Sequence, residues 1–212
     1  MKDRLQNNMT ANLRVQSSEF IDETVRISFK FNGKTYHGFK GDTLASALLA
    51  NDTHLVGRSF KYHRPRGIMT AGSEEPNAIV QVNDKTNRTE PNVRATEVEI
   101  YEGLEASSQN CWPSVNFDIG GINNAISAFL PAGFYYKTFM WPASFWEKYE
   151  YFIRHSAGLG KSPTDKDPDI YDHRNIHCDV LVVGAGISGI LAARNAAKNN
   201  LKTLLVDEKN EL

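Results

Sequence analysis

A glycine-rich turn between an apolar strand and a helix is the feature of this sequence that most restricts its fold. Residues 180–183 form a continuous apolar run, as in a parallel strand buried on both faces. The run leads into a GxGxxG pattern at 184–189, and a helical apolar pattern follows. This order is typical of dinucleotide-binding domains, so residues 178–212 are predicted to begin an α/β Rossmann domain. The alternative is a glycine-rich turn in a βαβ unit of another function.

The residues of this turn have predicted roles in binding a dinucleotide. Three glycines permit the tight turn, the approach of the backbone to a pyrophosphate and the close packing of the helix. The helix N-terminus offers free amides and a partial positive charge to the phosphates. A second apolar strand ends on acids that suit ribose hydroxyls and favour NAD or FAD over NADP. The predicted cofactor-binding residues are Gly184, Ala185, Gly186, Ile187, Ser188, Gly189, Asp207 and Glu208.

The predicted Rossmann unit is incomplete. A dinucleotide domain has two mononucleotide halves with further parallel strands, whereas the sequence from 178 to 212 supplies one strand–helix–strand unit. Two strands covered by one helix leave apolar faces open to water. We therefore expect a truncated domain whose sheet is completed by further chain or by a partner.

The region before the glycine turn predicts an α+β domain of the β-grasp type. Alternating apolar residues over 24–31, an Asn-Gly turn and a returning strand at 34–39 form a hairpin pattern. A helix after residue 43 and strands at 78–82 and 95–101 complete the order. Aromatic residues dominate 104–160, with helices predicted near 122–129 and 143–156. The predicted organisation is a mobile arm (1–20), a β-grasp domain (21–103), an aromatic-rich helical segment with a linker (104–177), and the Rossmann start (178–212).

A basic loop lies between residues 53 and 73, which contain four basic residues and no acid. The bases are interleaved with aromatics, and they could hold a phosphate or the carboxylates of a partner. The alternative is a loop that is solvated or paired within the chain. The four bases are Arg58, Lys61, Arg64 and Arg66.

Cysteine and histidine usage predicts no metal centre. Two cysteines, Cys111 and Cys178, are too few for a disulfide scaffold or an iron–sulfur cluster, which takes about four thiolates. His173 and His177 have a metal-ligand spacing only on a helix, and they lie in the predicted linker. We therefore expect no iron–sulfur cluster, no metal site and no catalytic residue in this chain.

Composition excludes further classes of function. The formal net charge of −1 provides no global field to attract nucleic acid or an anionic membrane. No apolar run approaches the roughly 18 residues of a membrane span. The first residues lack the apolar stretch of a secretory signal. We expect a cytoplasmic protein that binds neither nucleic acid nor membrane.

Four segments of the sequence resemble the alpha subunits of heterotetrameric sarcosine oxidases. They are GDTLASALLA at 41–50, GRSFKYHRPRG at 57–67, PAGFYYKTFMWP at 131–142 and YDHR at 171–174. The resemblance covers about residues 24–212. It implies a β-grasp domain of ferredoxin type that lacks the cluster cysteines, followed by a Rossmann unit that binds NAD.

The same resemblance implies a function within a larger assembly. Family members oxidise the N-methyl group of sarcosine, giving glycine, formaldehyde and hydrogen peroxide, with beta, gamma and delta subunits as partners. FAD belongs to the beta subunit, FMN lies between alpha and beta, and folate binds far beyond this segment. The chain is then an N-terminal part, inactive when isolated. The alternatives are a subunit of a related amine dehydrogenase or opine oxidase, and a non-catalytic assembly module.

Overall fold

The computed structural model describes residues 13–14, 20–83, 89–129, 133, 139, 141–156, 158–167 and 170–207. The chain divides into two compact units, Met1–Asp167 and Pro168–Leu212. The strands are β1 (Asp22–Phe31), β2 (Lys34–Lys40), β3 (Gly57–Arg58), β4 (Pro65–Arg66), β5 (Ile79–Asn83), β6 (Thr89–Arg94), β7 (Glu105–Ser108), β8 (Val180–Val183) and β9 (Thr203–Val206). The α-helices are α1 (Leu44–Ala50), α2 (Ile122–Ala125), α3 (Trp146–Ser156) and α4 (Ile187–Lys198).

A mixed five-stranded sheet organises the first unit, in the order β2-β1-β7-β5-β6. β1 and β2 form the predicted antiparallel hairpin, and β7 lies parallel to β1. Asn32 and Gly33 both have positive φ, at 51° and 77°, as a type I′ turn requires. The predicted hairpin is therefore confirmed, and the sheet with α1 packed on it has the β-grasp arrangement.

The prediction of a strand at residues 95–101 is wrong. Residues 95–101 form a turn and a loop, in which Glu99 makes an isolated bridge to Thr43. Ala95 and Ile100 of this loop are buried in the core, so its alternating apolar residues serve packing without strand pairing. The strand between β1 and β5 is β7, so the sheet continues past the predicted domain boundary near residue 103.

Helix α1 supplies one side of the core. Thr43 caps it by accepting a hydrogen bond from the Ser46 amide at 3.1 Å. Leu44 and Leu48 are fully buried in the cluster that contains Phe29 and other apolar side chains of the sheet. Burying a side chain of this size stabilises the fold by about 1.5–3 kcal/mol.

A buried carboxylate secures the corner between β2 and α1. Asp42 accepts two hydrogen bonds from the Arg14 guanidinium, at 2.9 and 2.6 Å, and others from the Phe39 amide and the Ser46 hydroxyl. Burial alone would raise the pKa of Asp42, but these donors outweigh burial and hold the pKa below its usual range. Most of the predicted mobile arm lies outside the described residues, yet Arg14 is bound to the domain.

Short helices follow the sheet, as predicted. Near 122–129, α2 is flanked by 3₁₀ turns at Ile119–Gly121 and Ser127–Phe129, and α3 follows a 3₁₀ turn at Ala143–Phe145. Beyond α3, the backbone of Lys161 exchanges two hydrogen bonds with the Gln81 side chain on β5. These bonds attach the beginning of the linker to the sheet.

No helix in the described part of the chain is long and apolar enough to cross a membrane. A cytoplasmic location stays a prediction.

A second buried carboxylate organises the loop before β5. Glu75 accepts hydrogen bonds from the amides of Met69, Thr70, Asn77 and Ala78, at 2.7–3.1 Å. Burial alone would raise the pKa of Glu75, but these four donors hold it below its usual value. A lowered folded-state pKa means that the ionised carboxylate stabilises the fold at neutral pH, and this stabilisation is lost as the pH falls through the folded-state pKa.

We expect Glu75→Gln to lower the free energy of unfolding of the full chain by about 2 kcal/mol at neutral pH, because an amide cannot accept all four bonds. The difference from wild type should shrink as the pH falls through the folded-state pKa. Denaturant unfolding across pH measures it. Glu74→Gln, at the exposed neighbouring position, is the matched control. Equal losses in both variants would contradict the assignment.

Candidate dinucleotide-binding site

The candidate site lies in the second unit, where a strand, a turn and a helix meet. β8 pairs in parallel with β9, from Val180 opposite Thr203 to Val183 opposite Val206. The Gly184 amide extends the pairing by donating to the Val206 carbonyl at 2.8 Å. Parallel pairing brings the carboxyl ends of both strands to the same edge, where α/β domains bind ligands.

The three glycines of the turn have separable roles. Gly184 has a φ of +102°, a conformation that side chains disfavour. A Cβ on Gly189 would collide with the Gly184 carbonyl oxygen, so the helix packs directly on the turn. A Cβ on Gly186 would meet nothing within 4 Å. Gly184 and Gly189 therefore serve the fold, and Gly186 leaves open space above the backbone.

The N-terminus of α4 faces this open space. Gly186 is its N-cap and has no side chain to satisfy the first-turn amides. Gly186, Ile187 and Ser188 are exposed, Ile187 to 81%. Because the helix is twelve residues long, its dipole adds a partial positive charge there. The arrangement suits a pyrophosphate.

A carboxylate lies on the other side of the glycine turn. Asp207 follows β9, and its Oδ2 accepts a hydrogen bond from the Ala185 amide at 2.5 Å. The bond places a carboxylate beside the glycine turn, where it would meet the ribose of a dinucleotide whose pyrophosphate lies on α4. Glu208, the other predicted acid, lies outside the described residues. The structure brings the rest of the predicted set together, and their binding role stays a prediction.

The strands of this unit are more exposed than the sequence pattern implied. Leu181 and Val183 are exposed, Val183 to 78%, although the apolar run predicted a strand buried on both faces. The reason is geometric, because α4 covers one face of the two-stranded sheet and nothing in the described residues of this unit covers the other.

The basic loop is paired largely within the first unit. Arg58 donates to the Val115 carbonyl from two nitrogens, at 2.8 and 2.5 Å. His63 Nδ1 lies 2.6 Å from a carboxylate oxygen of the buried Asp118. The Asp118 carboxylate also accepts from the Trp112 and Gly120 amides. Sequence analysis missed Asp118, whose one signal is its capping position before the turn at Ile119–Gly121.

Each of the two units contains a segment that matches a known protein family. Residues 24–111 match the family described as "2Fe-2S iron-sulfur cluster binding domain", and residues 179–212 match "FAD dependent oxidoreductase". The sarcosine oxidase subunit alpha of Rhizobium meliloti is 58% identical over 92% of this chain. The chain is homologous to the alpha subunit of sarcosine oxidase. This similarity confirms the resemblance expected from the sequence.

Two further relatives agree with this assignment. The sarcosine oxidase alpha subunits of Corynebacterium sp. strains U-96 and P-1 are 32% and 33% identical, over 98% and 90% of this chain. The chain spans 20% of the Rhizobium relative and 16% and 15% of the other two. It therefore corresponds to about a fifth or less of the length of these alpha subunits.

The cofactor expectations from the sequence need correction. We expected a first domain without an iron–sulfur cluster, and the match of residues 24–111 contradicts this because that family is defined by cluster binding. The second family is described by FAD, whereas NAD and FMN occur in neither description.

The donor set of the matched segment does not fit a cluster held by four thiolates. Cys111 is the one cysteine between residues 24 and 111. Burial raises the pKa of its thiol, and Asp118 raises it further. Among the residues that the structure describes, no three His, Cys, Asp or Glu side chains are grouped to hold a metal.

We expect Gly189→Ala to destabilise the strand–helix–strand unit by about 1–3 kcal/mol, the usual cost of overpacking. Hydrogen exchange of the α4 amides in the full chain, followed by mass spectrometry, measures the loss. Gly186→Ala is the matched control, because its Cβ enters open space at an ordinary φ of −62°. The packing role of Gly189 is wrong if both variants exchange at the wild-type rate.

Proposed function

We propose that this chain forms part of the alpha subunit of a multi-subunit sarcosine oxidase and contributes its dinucleotide-binding turn. The overall reaction consumes sarcosine, oxygen and water and yields glycine, formaldehyde and hydrogen peroxide. The carbon of the N-methyl group loses two electrons, and oxygen is reduced to peroxide. The 58% identity to the Rhizobium alpha subunit supports this assignment. The described residues supply binding groups, and the amine-oxidising step belongs to other parts of the assembly.

The observation that carries the binding proposal is the open space at Gly186. It lies at the N-cap of α4 and beside Asp207, where a Cβ would meet no atom within 4 Å. The Ile187 and Ser188 amides would donate to the pyrophosphate oxygens, and the lack of a side chain at Gly186 lets those oxygens approach the backbone. A bound dinucleotide supplies an electron carrier. The protein's contribution is to hold its adenosine diphosphate half.

Asp207 would orient the adenosine. Its carboxylate accepts hydrogen bonds only, so it suits the 2′- and 3′-hydroxyls of a ribose and opposes a 2′-phosphate. In the structure it accepts from the Ala185 amide. That bond fixes the carboxylate next to the turn, so the phosphate and ribose subsites are positioned by the same few residues.

NAD and FAD share the adenosine diphosphate group that these residues fit. The resemblance to sarcosine oxidase alpha subunits implies NAD, and the family match of residues 179–212 favours FAD. The residues that would distinguish nicotinamide from flavin contact the other half of the molecule. The experiment therefore titrates both dinucleotides.

The proposal includes an assembly. Subunits named alpha imply others, and we propose beta, gamma and delta subunits as partners, with an amine substrate and folate bound elsewhere in the complex. A subunit of a related amine dehydrogenase or opine oxidase would share the same binding turn, and substrate turnover by the purified assembly distinguishes these enzymes.

We expect the complete assembly to bind NAD or FAD through this site, and Gly186→Val to raise the Kd roughly a hundredfold or more. The valine would fill the cradle and prevent charge-assisted backbone bonds worth about 1.5–3 kcal/mol each. Isothermal calorimetry on assembly stripped of dinucleotide measures binding of NAD, FAD, NADP and ADP, and NADP should bind more weakly than NAD. Asp207→Asn should weaken the three ligands that have a free 2′-hydroxyl.

The matched control is Gly121→Val, at a glycine of the first unit whose Cβ would also meet nothing within 4 Å. It should leave the Kd unchanged. Wild-type assembly that binds none of these ligands would favour the assembly-module alternative. Undiminished binding by Gly186→Val would show that the dinucleotide lies at another site.

A further inference from the structure

The turn between β1 and β2 places an asparagine directly before a glycine. A backbone nitrogen that follows an asparagine can attack the side-chain amide, and glycine has no side chain to obstruct that attack. Asn32 and Gly33 are both exposed, and a Cβ on Gly33 would meet nothing within 4 Å. The turn therefore combines a nucleophile, a reactive amide and access for water.

The Asn32 side chain is held by Ser108 at the end of β7. The Ser108 amide donates to Asn32 Oδ1 at 2.8 Å, and Asn32 Nδ2 donates to Ser108 Oγ at 3.0 Å. The Ser108 hydroxyl donates its own hydrogen to the carbonyl of the buried Val56 at 2.7 Å. Both ends of the Asn32 amide are therefore bonded to β7. These bonds restrain rotation of the side chain, and the bond from Nδ2 must break if that group leaves.

We propose that Asn32 is a site of spontaneous deamidation in this protein, and that the bonds to Ser108 limit its rate. The Gly33 nitrogen forms a bond to Asn32 Cγ, and Nδ2 leaves as ammonia together with the proton of the Gly33 amide. Water then opens the resulting succinimide at one of its carbonyls, which leaves aspartate or isoaspartate at position 32. No electrons are transferred, and water is the co-reactant.

The product of this reaction loses part of the contact with β7. A carboxylate accepts hydrogen bonds only, so the bond that Nδ2 donates to Ser108 Oγ disappears. The Ser108 hydroxyl has one hydrogen, which can stay on the Val56 carbonyl or turn to the new carboxylate, but cannot serve both. Isoaspartate also adds a methylene to the backbone of the turn, where Phe31 pairs with Lys34. Deamidation therefore alters the connection between the hairpin and β7.

The test follows deamidation of the full-length protein during incubation at mildly alkaline pH. Peptide mass spectrometry measures the conversion of the Asn32 amide to a carboxyl group, and digestion in heavy-oxygen water marks any conversion that occurs in the digest. We expect Ser108→Ala to deamidate at Asn32 about fivefold faster than wild type, because one hydrogen bond of ordinary strength is removed. Ser107→Ala, at the neighbouring position of β7, is the matched control and should react at the wild-type rate.

Further measurements distinguish the local restraint from unfolding of the hairpin. Ser108→Thr keeps the hydroxyl and should deamidate at the wild-type rate. The β1 amides of Ser108→Ala should exchange hydrogen as in wild type, because a variant that opened the hairpin would accelerate exchange and deamidation together. Asn175, an exposed asparagine followed by Ile176, provides the rate without a glycine and should react much more slowly than Asn32 in Ser108→Ala.

Three results would contradict the proposal. Equal rates at Asn32 in Ser108→Ala and Ser107→Ala would overturn the role of Ser108. A rate at Asn32 in Ser108→Ala no higher than the rate at Asn175 would overturn Asn32 as the reactive site. Faster deamidation accompanied by faster hydrogen exchange throughout β1 would assign the acceleration to unfolding and overturn the local restraint.

Discussion

The direct contact between α4 and the turn after β8 determines the geometry of the candidate site. Gly189 packs against the Gly184 carbonyl with no space for a Cβ, so the helix axis is held close to the strand end. That closeness brings the first-turn amides and the Asp207 carboxylate to one edge. Phosphate binding by backbone amides requires this placement, because each amide donates along a fixed direction. The geometry of the candidate site thus depends on the backbone contact between Gly189 and the Gly184 carbonyl.

The first unit depends on buried carboxylates in a comparable way. Asp42 and Glu75 each lie beside a change of chain direction. Each carboxylate accepts several hydrogen bonds from loop amides, and Asp42 also accepts from the Arg14 guanidinium. Burying a charge costs several kcal/mol unless it is fully hydrogen-bonded. Both carboxylates meet that condition, so they define the positions of the loops around the sheet.

The mixed sheet and the match of residues 24–111 connect the first unit to a family defined by its cluster, whereas the segment itself contains one cysteine. In its loop, Arg58 and His63 make contacts with Val115 and Asp118. The loop is thereby held to residues 115–118 by hydrogen bonds.

The local elements could be predicted from the sequence: the hairpin around Asn32, the helix after residue 43, and the glycine turn before α4. Each depends on residues within a few positions of one another, so propensity and spacing predict it. Tertiary structure decided that β7 is the central strand, placing Lys30 opposite Glu105, and that Arg58 binds the Val115 carbonyl. These contacts join distant parts of the chain, and the short segment EASS of β7 has no apolar alternation to predict a strand. Its strand conformation comes from pairing with β1 and β5 on both sides, because context outweighs intrinsic β-propensity.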